Sequence, residues 1–124
     1  MSAKILDGAS VAQAIKDEVA GEVAEYSRRG VRPGLAAVLV GSDSASQIYV
    51  SGKVRTCEQL GLYSEKIDLP ETTMTEELLA LVRDLNSRDE IDGILIQFRC
   101  LSKSTPRSCS IRLTRRRTSM AFIR

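Results

Sequence analysis

Leu35 to Val40 is an unbroken apolar run held between Gly34 and Gly41. Six such residues in succession leave a strand no polar face, so it has to be covered on both sides, as in a parallel sheet clothed by helices. The flanking patterns agree. Ser10 to Arg29 reads as an amphipathic helix, with Val11, Ala14, Ile15, Val19, Val23 and Tyr26 at helical spacing, stopped by Gly30 and Pro33. Ser44 with Gln47 forms a capping-box pattern that opens a second helix to about Leu60, ended by Gly61. Leu62 to Leu69 alternates as a shorter strand closed by Pro70. Thr73 with Glu76 is a second capping-box pattern, and Leu78, Leu79, Val82 and Leu85 mark the apolar side of a third helix. Ile94, Leu95, Ile96 and Phe98 make the third strand. Helix and strand alternate three times, which predicts an α/β fold: a three-layer, largely parallel sheet flanked by helices and joined by right-handed crossovers. Ligands of such sheets gather at the carboxyl ends of the strands. There the sequence has the turn Gly41-Ser42-Asp43-Ser44 and the pair Gln97-Phe98.

The chain changes character after Phe98. Met1 to Phe98 has 10 Lys or Arg against 16 Asp or Glu, whereas Arg99 to Arg124 has 8 basic residues and no acidic one. A net charge of +2 thus conceals a body of −6 and a tail of +8. The expected organisation is one partial domain over residues 1–98 and a basic tail over 99–124, mostly disordered because little in it can offset the ordering entropy. A body of this size buries a modest core. No apolar run approaches the ~20 residues of a membrane span, and Asp7, Asp17 and Glu18 occupy the stretch where a signal peptide would be apolar. The expected address is the cytoplasm. Cys57, Cys100 and Cys109 have no metal-ligand spacing, so neither a zinc site nor a disulfide framework is expected. With no histidine in the chain, acid–base chemistry falls to Lys, Tyr, Asp, Glu or Cys.

Tyr49 and Lys53 are four residues apart in the second helix and share a face, with Ser46 one turn before Tyr49. That face projects a ring beside an amine, and an amine desolvated against a ring is a candidate proton carrier, because burial penalises the ammonium form. The plainer reading is a half-buried tyrosine and a solvated lysine. Gln97 either caps a strand edge or reaches into the cleft. The Gly41 to Ser46 turn could receive an anion at the helix N-terminus, but helix capping explains its hydroxyls better, and no Gly-x-Gly-x-x-Gly or Walker pattern is present. Cys57, one turn beyond Lys53, reads as packing, since no histidine exists to activate it.

Taken together, Gly34-Leu-Ala-Ala-Val-Leu-Val-Gly41, Ser44-Ala-Ser-Gln-Ile-Tyr49-Val-Ser-Gly-Lys53 and Asp92-Gly-Ile-Leu-Ile-Gln-Phe98 closely resemble the catalytic domain of the bifunctional methylenetetrahydrofolate dehydrogenase/methenyltetrahydrofolate cyclohydrolase family. Ile5-Leu-Asp-Gly8 fits as well, so the resemblance spans nearly all of Met1 to Phe98. It implies that Lys53 is the principal acid–base residue, that Tyr49 stacks on the pterin-like ring, that Gln97 orients the lysine, and that Ser46 shares the substrate-binding cleft. It also implies a folate substrate, NAD(P)+ as hydride acceptor and no metal. The family oxidises methylene-tetrahydrofolate and hydrolyses the methenyl product to formyl-tetrahydrofolate. Its homodimers form largely through a Rossmann-type cofactor domain. Residues 1–124 are therefore expected to be an incomplete catalytic domain without that Rossmann domain, not dimeric by themselves.

After Phe98 the family continues Pro-Leu-Pro and later Asp-Val-Asp-Gly, its first aspartate belonging to the folate site, whereas this chain reads Arg99-Cys-Leu-Ser-Lys103. A reading-frame shift is the expected cause. Codons CGC TGC CTA AGC for Arg99 to Ser102, preceded by one restored C, read CCG CTG CCT AAG, which is Pro-Leu-Pro-Lys. The same shift carried onward places Asp-Val-Asp-Gly across Thr118 to Ala121. With Thr118 in place of the folate-site aspartate, turnover by this chain alone is expected to be absent or very weak. The tail also leaves open a different class: a small α/β module that binds nucleic acid through its charges, Arg115-Arg116-Arg117 above all, with salt-dependent and sequence-independent affinity. Against that, Phe122 is the tail's one aromatic for base stacking, so no specific nucleic acid is expected as a partner.

Overall fold

The computed structural model describes residues 7–99 and 118–123. In chain order the elements are α1 (Gly8–Arg28), β1 (Gly34–Val40), α2 (Ser44–Gln59), β2 (Tyr63–Leu69), α3 (Thr75–Ser87), β3 (Gly93–Arg99) and β4 (Thr118–Ile123). The strands form one sheet in the order β2-β1-β3-β4, every neighbouring pair parallel. The alternation expected over residues 1–98 is present, with element ends displaced by a few residues. Both expected capping boxes move. Asp43 caps α2, its carboxylate accepting from the Ser46 amide, and Met74 occupies the cap of α3, its amide donating to the Glu77 carboxylate at 2.8 Å. Thr73 instead donates its hydroxyl to the Pro70 carbonyl and closes the preceding turn.

The tail differs from expectation. Thr118–Ile123 adds a fourth strand beside β3, in register from Ile94 with Thr118 to Arg99 with Ile123. Without it β3 would be an edge strand with its outer N–H and C=O groups unpaired. Ladder bonds are made by backbone, so a segment with no hydrophobic period can still satisfy that edge. The expectation of disorder for residues 100–117 and 124 lies outside the described residues.

Residues paired across a parallel ladder share a face, which sorts the core into two halves. Ala36 and Val38 of β1, with Ile94 and Ile96 of β3, pack under Leu78, Val82 and Leu85 of α3 and Ile91 before β3. On the other face Ala37 and Leu39 meet Val50 and Val54 of α2. Chain direction explains the division. β1 to β2 steps one way along the sheet and β2 to β3 steps back across β1, so two right-handed crossovers place α2 and α3 on opposite faces. α1 is only partly seated: Val23 is buried, but Val11 and Ile15 in its first half are 58% and 55% exposed, so part of its apolar stripe is uncovered.

Both ends of β1 are clamped. At its start the Gly34 amide donates to the Asp92 carboxylate at 3.0 Å, and the Asp92 amide donates back to the Gly34 carbonyl at 2.8 Å. At its end the Gly41 amide donates to the Leu69 carbonyl at 2.9 Å, and Gly41 turns the chain at φ +94°, a conformation that favours glycine. A side chain at Gly34 would collide with the Glu90 carbonyl oxygen, a backbone atom with little freedom to retreat. Gly34→Ala should therefore destabilise the protein by about 3 kcal/mol, measured by urea unfolding. An effect below about 0.5 kcal/mol would show that the Glu90 loop yields freely.

Candidate active site

The sheet order reverses between β1 and β3: the chain leaves β1 toward β2 on one side and continues from β3 to β4 on the other. The crevice at such a switch point is where an open parallel sheet receives ligands. Leu39 of β1 is in register with Gln97 of β3, so both lie on the face covered by α2, near the carboxyl ends of their strands. α2 begins four residues after β1 ends. Topology thus brings Gln97 and the helix bearing Ser46, Tyr49 and Lys53 to one side of the sheet.

The sequence-predicted residues differ in their surroundings. Gln97 is 0% exposed, and neither its amide oxygen nor its amide nitrogen has a hydrogen-bond partner. Such a group costs about 1–3 kcal/mol in a folded protein. Tyr49 is 41% exposed, and the Lys53 ammonium nitrogen lies 4.6 Å from its ring centroid, within cation–π range. Lys53 is half-buried. Ring and amine therefore form a pair at the surface of α2. Ser46 is 1% exposed and donates its hydroxyl to Asp43 Oδ2 at 2.9 Å, the oxygen that also accepts from the Ser46 amide at 3.0 Å. The turn is thus a helix cap in which a carboxylate already occupies the N-terminus. Sequence reading passed over Asp43 because Ser44, next to it, is an equally acceptable cap.

The tetrahydrofolate dehydrogenase/cyclohydrolase catalytic-domain profile matches residues 6–107. The chain belongs to the tetrahydrofolate dehydrogenase/cyclohydrolase family. The profile runs nine residues past the change in composition at Phe98. Among relatives of this family, the Bifunctional protein FolD of Koribacter versatilis (strain Ellin345) is 55% identical over 97 residues, which is 78% of this chain and 32% of that protein. The FolD of Solibacter usitatus (strain Ellin6076) is 54% identical over 94 residues, 76% of this chain and 31% of that protein. The chain spans about a third of the length of these curated relatives. Among solved structures, the FolD dehydrogenase/cyclohydrolase of Campylobacter jejuni aligns with a TM-score of 0.73 at 38% identity, covering 77% of this chain and 34% of that one. The Trypanosoma brucei enzyme, solved with NADP cofactor and inhibitor, aligns at 0.74 and 35% identity, covering 79% of this chain and 34% of that one. These matches establish the catalytic-domain fold of the family here, and none of the described helices is long and apolar enough to cross a membrane.

Within this family member Cys57 lies on the sheet-facing side of α2, one turn beyond Lys53, and is buried. Burial pushes its thiol pKa up; the Lys53 charge opposes the shift and Glu58 adds to it. A native pKa above the unfolded one adds stability that is fully present below the unfolded value and is lost as pH rises through the folded value. Thermal unfolding followed from neutral pH to above about pH 9 should show Tm declining at the alkaline end. The decline should be shallower in Cys57→Ala, and an equally steep one would mean that the thiol does not couple to folding.

Proposed function

We propose that this chain carries the folate-side half of a methylenetetrahydrofolate dehydrogenase/cyclohydrolase site, with Tyr49 as the ring platform, Lys53 as the proton carrier, Gln97 as the polar contact beneath them and Ser46 in the wall of the cleft. The observation that carries the reading is the Gln97 amide, wholly buried with both polar atoms unpaired, on the face covered by the helix that bears Tyr49 and Lys53. A donor and an acceptor left open side by side suit a group that both accepts and gives a hydrogen bond, as the lysine amine and the ring nitrogens of a reduced pterin do. The half-exposed Tyr49 face suits stacking against a flat heterocycle.

The hydrolytic half-reaction can be assigned to these side chains. A neutral Lys53 amine takes a proton from water as the oxygen adds to the cationic methenyl carbon, giving a neutral carbinol. The resulting ammonium then returns that proton to the ring nitrogen as its bond to the carbon breaks, and the carbinol hydroxyl releases its own proton to solvent, leaving the formyl group on the other nitrogen. Gln97 holds the amine in line. In the oxidative half-reaction NAD(P)+ supplies the hydride acceptor. The described residues do not fit that cofactor's pyrophosphate: of the two turns from strand to helix at the sheet's carboxyl edge, the one before α2 has its N-terminus filled by the Asp43 carboxylate, and the one before α3 has Glu76 and Glu77 in the first turn of the helix, so both would repel a phosphate. No step assigned here runs through the dinucleotide.

Two measurements test this reading. Gln97→Met removes the unpaired amide at nearly constant volume. It should raise stability by about 1 kcal/mol while weakening tetrahydrofolate binding by about tenfold or more, read by chemical unfolding and titration calorimetry. A variant that binds like the parent would remove Gln97 from the site. The frame shift is tested by resequencing the coding DNA across Phe98 and Arg99. A single restored base should open a frame encoding Pro-Leu-Pro and Asp-Val-Asp-Gly, whereas an unaltered base sequence would make the basic tail a genuine feature of the chain.

A further inference from the structure

The two helices that flank β1 are seated by different means. α3 enters the core with Leu78, Val82 and Leu85, three large apolar side chains. The buried positions of α2 are Ser46, Val50 and Cys57, and among the described residues its apolar cluster holds Ala37, Leu39 and Val50, with Val54 beside it. Small side chains let α2 lie close on β1, β2 and β3, so its height and rotation depend on short-range fit and polar contacts more than on large apolar side chains. α2 is also the element that presents Tyr49 and Lys53.

Asp43 supplies a polar constraint at the start of that helix. Its backbone is extended at φ −61° and ψ 124°, just outside the helix, and its carbonyl accepts the Gln47 amide at 3.0 Å. One carboxylate oxygen accepts both the amide and the hydroxyl of Ser46, at 3.0 and 2.9 Å. A cap needs only the first of these bonds. The second ties the cap to a side chain on the buried, sheet-facing side of α2, and so fixes the rotation of the first turn as well as its start. The turn is itself anchored to the sheet through the Gly41 amide on the Leu69 carbonyl. We infer that Asp43 is a positioning residue which, through Ser46, sets how α2 lies on the sheet and hence where Tyr49 and Lys53 stand relative to Gln97. This rests on the folate-site reading for its consequence in binding. Ser46 then acts mainly through the helix, because its hydroxyl proton is committed to Asp43.

The test uses the 124-residue chain with Asp43→Ala, Asp43→Asn, Ser46→Ala and, as a control on the opposite side of the fold, Arg88→Ala, which removes the ion pairs from Arg88 to Glu65 and Glu90. Two quantities are read in each: the Kd for tetrahydrofolate by calorimetry, and the NMR cross-peaks between the methyl groups of Val50 and Leu39, which report the seat of α2 on β1. Asp43→Ala should weaken binding by about tenfold and diminish the cross-peaks, with a smaller effect of the same kind in Ser46→Ala. Asn caps as well as Asp, so Asp43→Asn should return both quantities to within about twofold of the parent. Arg88→Ala should lower Tm and leave both unchanged. Cross-peaks that persist in Asp43→Ala would overturn the inference, as would a loss of affinity matched by Arg88→Ala. If the parent chain binds no tetrahydrofolate, the folate reading fails by itself, and the cross-peaks still decide whether Asp43 seats α2.

Discussion

A strand apolar along its whole length has to be roofed on both faces, and the architecture follows from meeting that demand for β1. Ala36 to Leu39 are completely buried, two facing the α3 layer and two the α2 layer. Neither helix can leave without exposing half of them. The clamps at Gly34 and Gly41 stop β1 from sliding, because each ties the backbone of a strand end to a neighbouring segment, through the Asp92 amide and carboxylate at Gly34 and the Leu69 carbonyl at Gly41. Register matters beyond stability here. A slip of one residue would exchange the two faces and turn Leu39 away from the side on which Gln97 lies.

The two roofs are built differently, and the candidate site sits under the one whose buried side chains are small and polar. The α3 face is a packed set of branched aliphatic side chains, the arrangement that gives most stability per residue. The α2 face has a serine where α3 has a leucine, an unpaired glutamine amide, and a half-buried lysine against a tyrosine ring. Filling that face with aliphatic residues would remove the groups to which the proposed reading assigns binding and proton transfer. A polar group left unsatisfied in the core is tolerable where a ligand can complete it, and on the proposed reading that is the place of the orphan at Gln97 beside fully packed strand neighbours.

Sequence reading recovers the periodic parts of this structure and loses what depends on single atoms. The six elements of residues 7–99 announce themselves through apolar spacing and glycine stops, and Gln97 is visible as a polar residue in an apolar strand. The caps shift because several adjacent residues in each turn are chemically able to serve: Asp43 beside Ser44, and backbone at Met74 beside Thr73. Choice among them depends on where the sheet holds the turn, which is tertiary information. The link from Asp43 through Ser46 was illegible for the same reason, since only the folded helix shows that Ser46 faces inward. The apolar stripe of α1 marked an amphipathic helix but not how much of it is covered: Val23 is buried, whereas Val11 and Ile15 are largely in solvent.

β4 was illegible for a different reason. A strand recognised by alternation must have one face buried and one wet, but a strand added to an existing edge is selected first by backbone complementarity, which any residue but proline can offer. Thr118–Ile123 meets that condition without a strong pattern, and its register sets Ala121 beside Gln97. Sheet completion and site completion are thus separable properties of the same position. The ladder requires only that N–H and C=O groups alternate on the β3 edge, and this segment supplies them. By the family resemblance, the proposed folate site would take a carboxylate at that edge, and neither Thr118 nor Ala121 is acidic. Thr118–Ile123 can therefore extend the sheet beside Gln97 without the charge that an acidic residue would place there, and the groups proposed for the site come from α2 and β3.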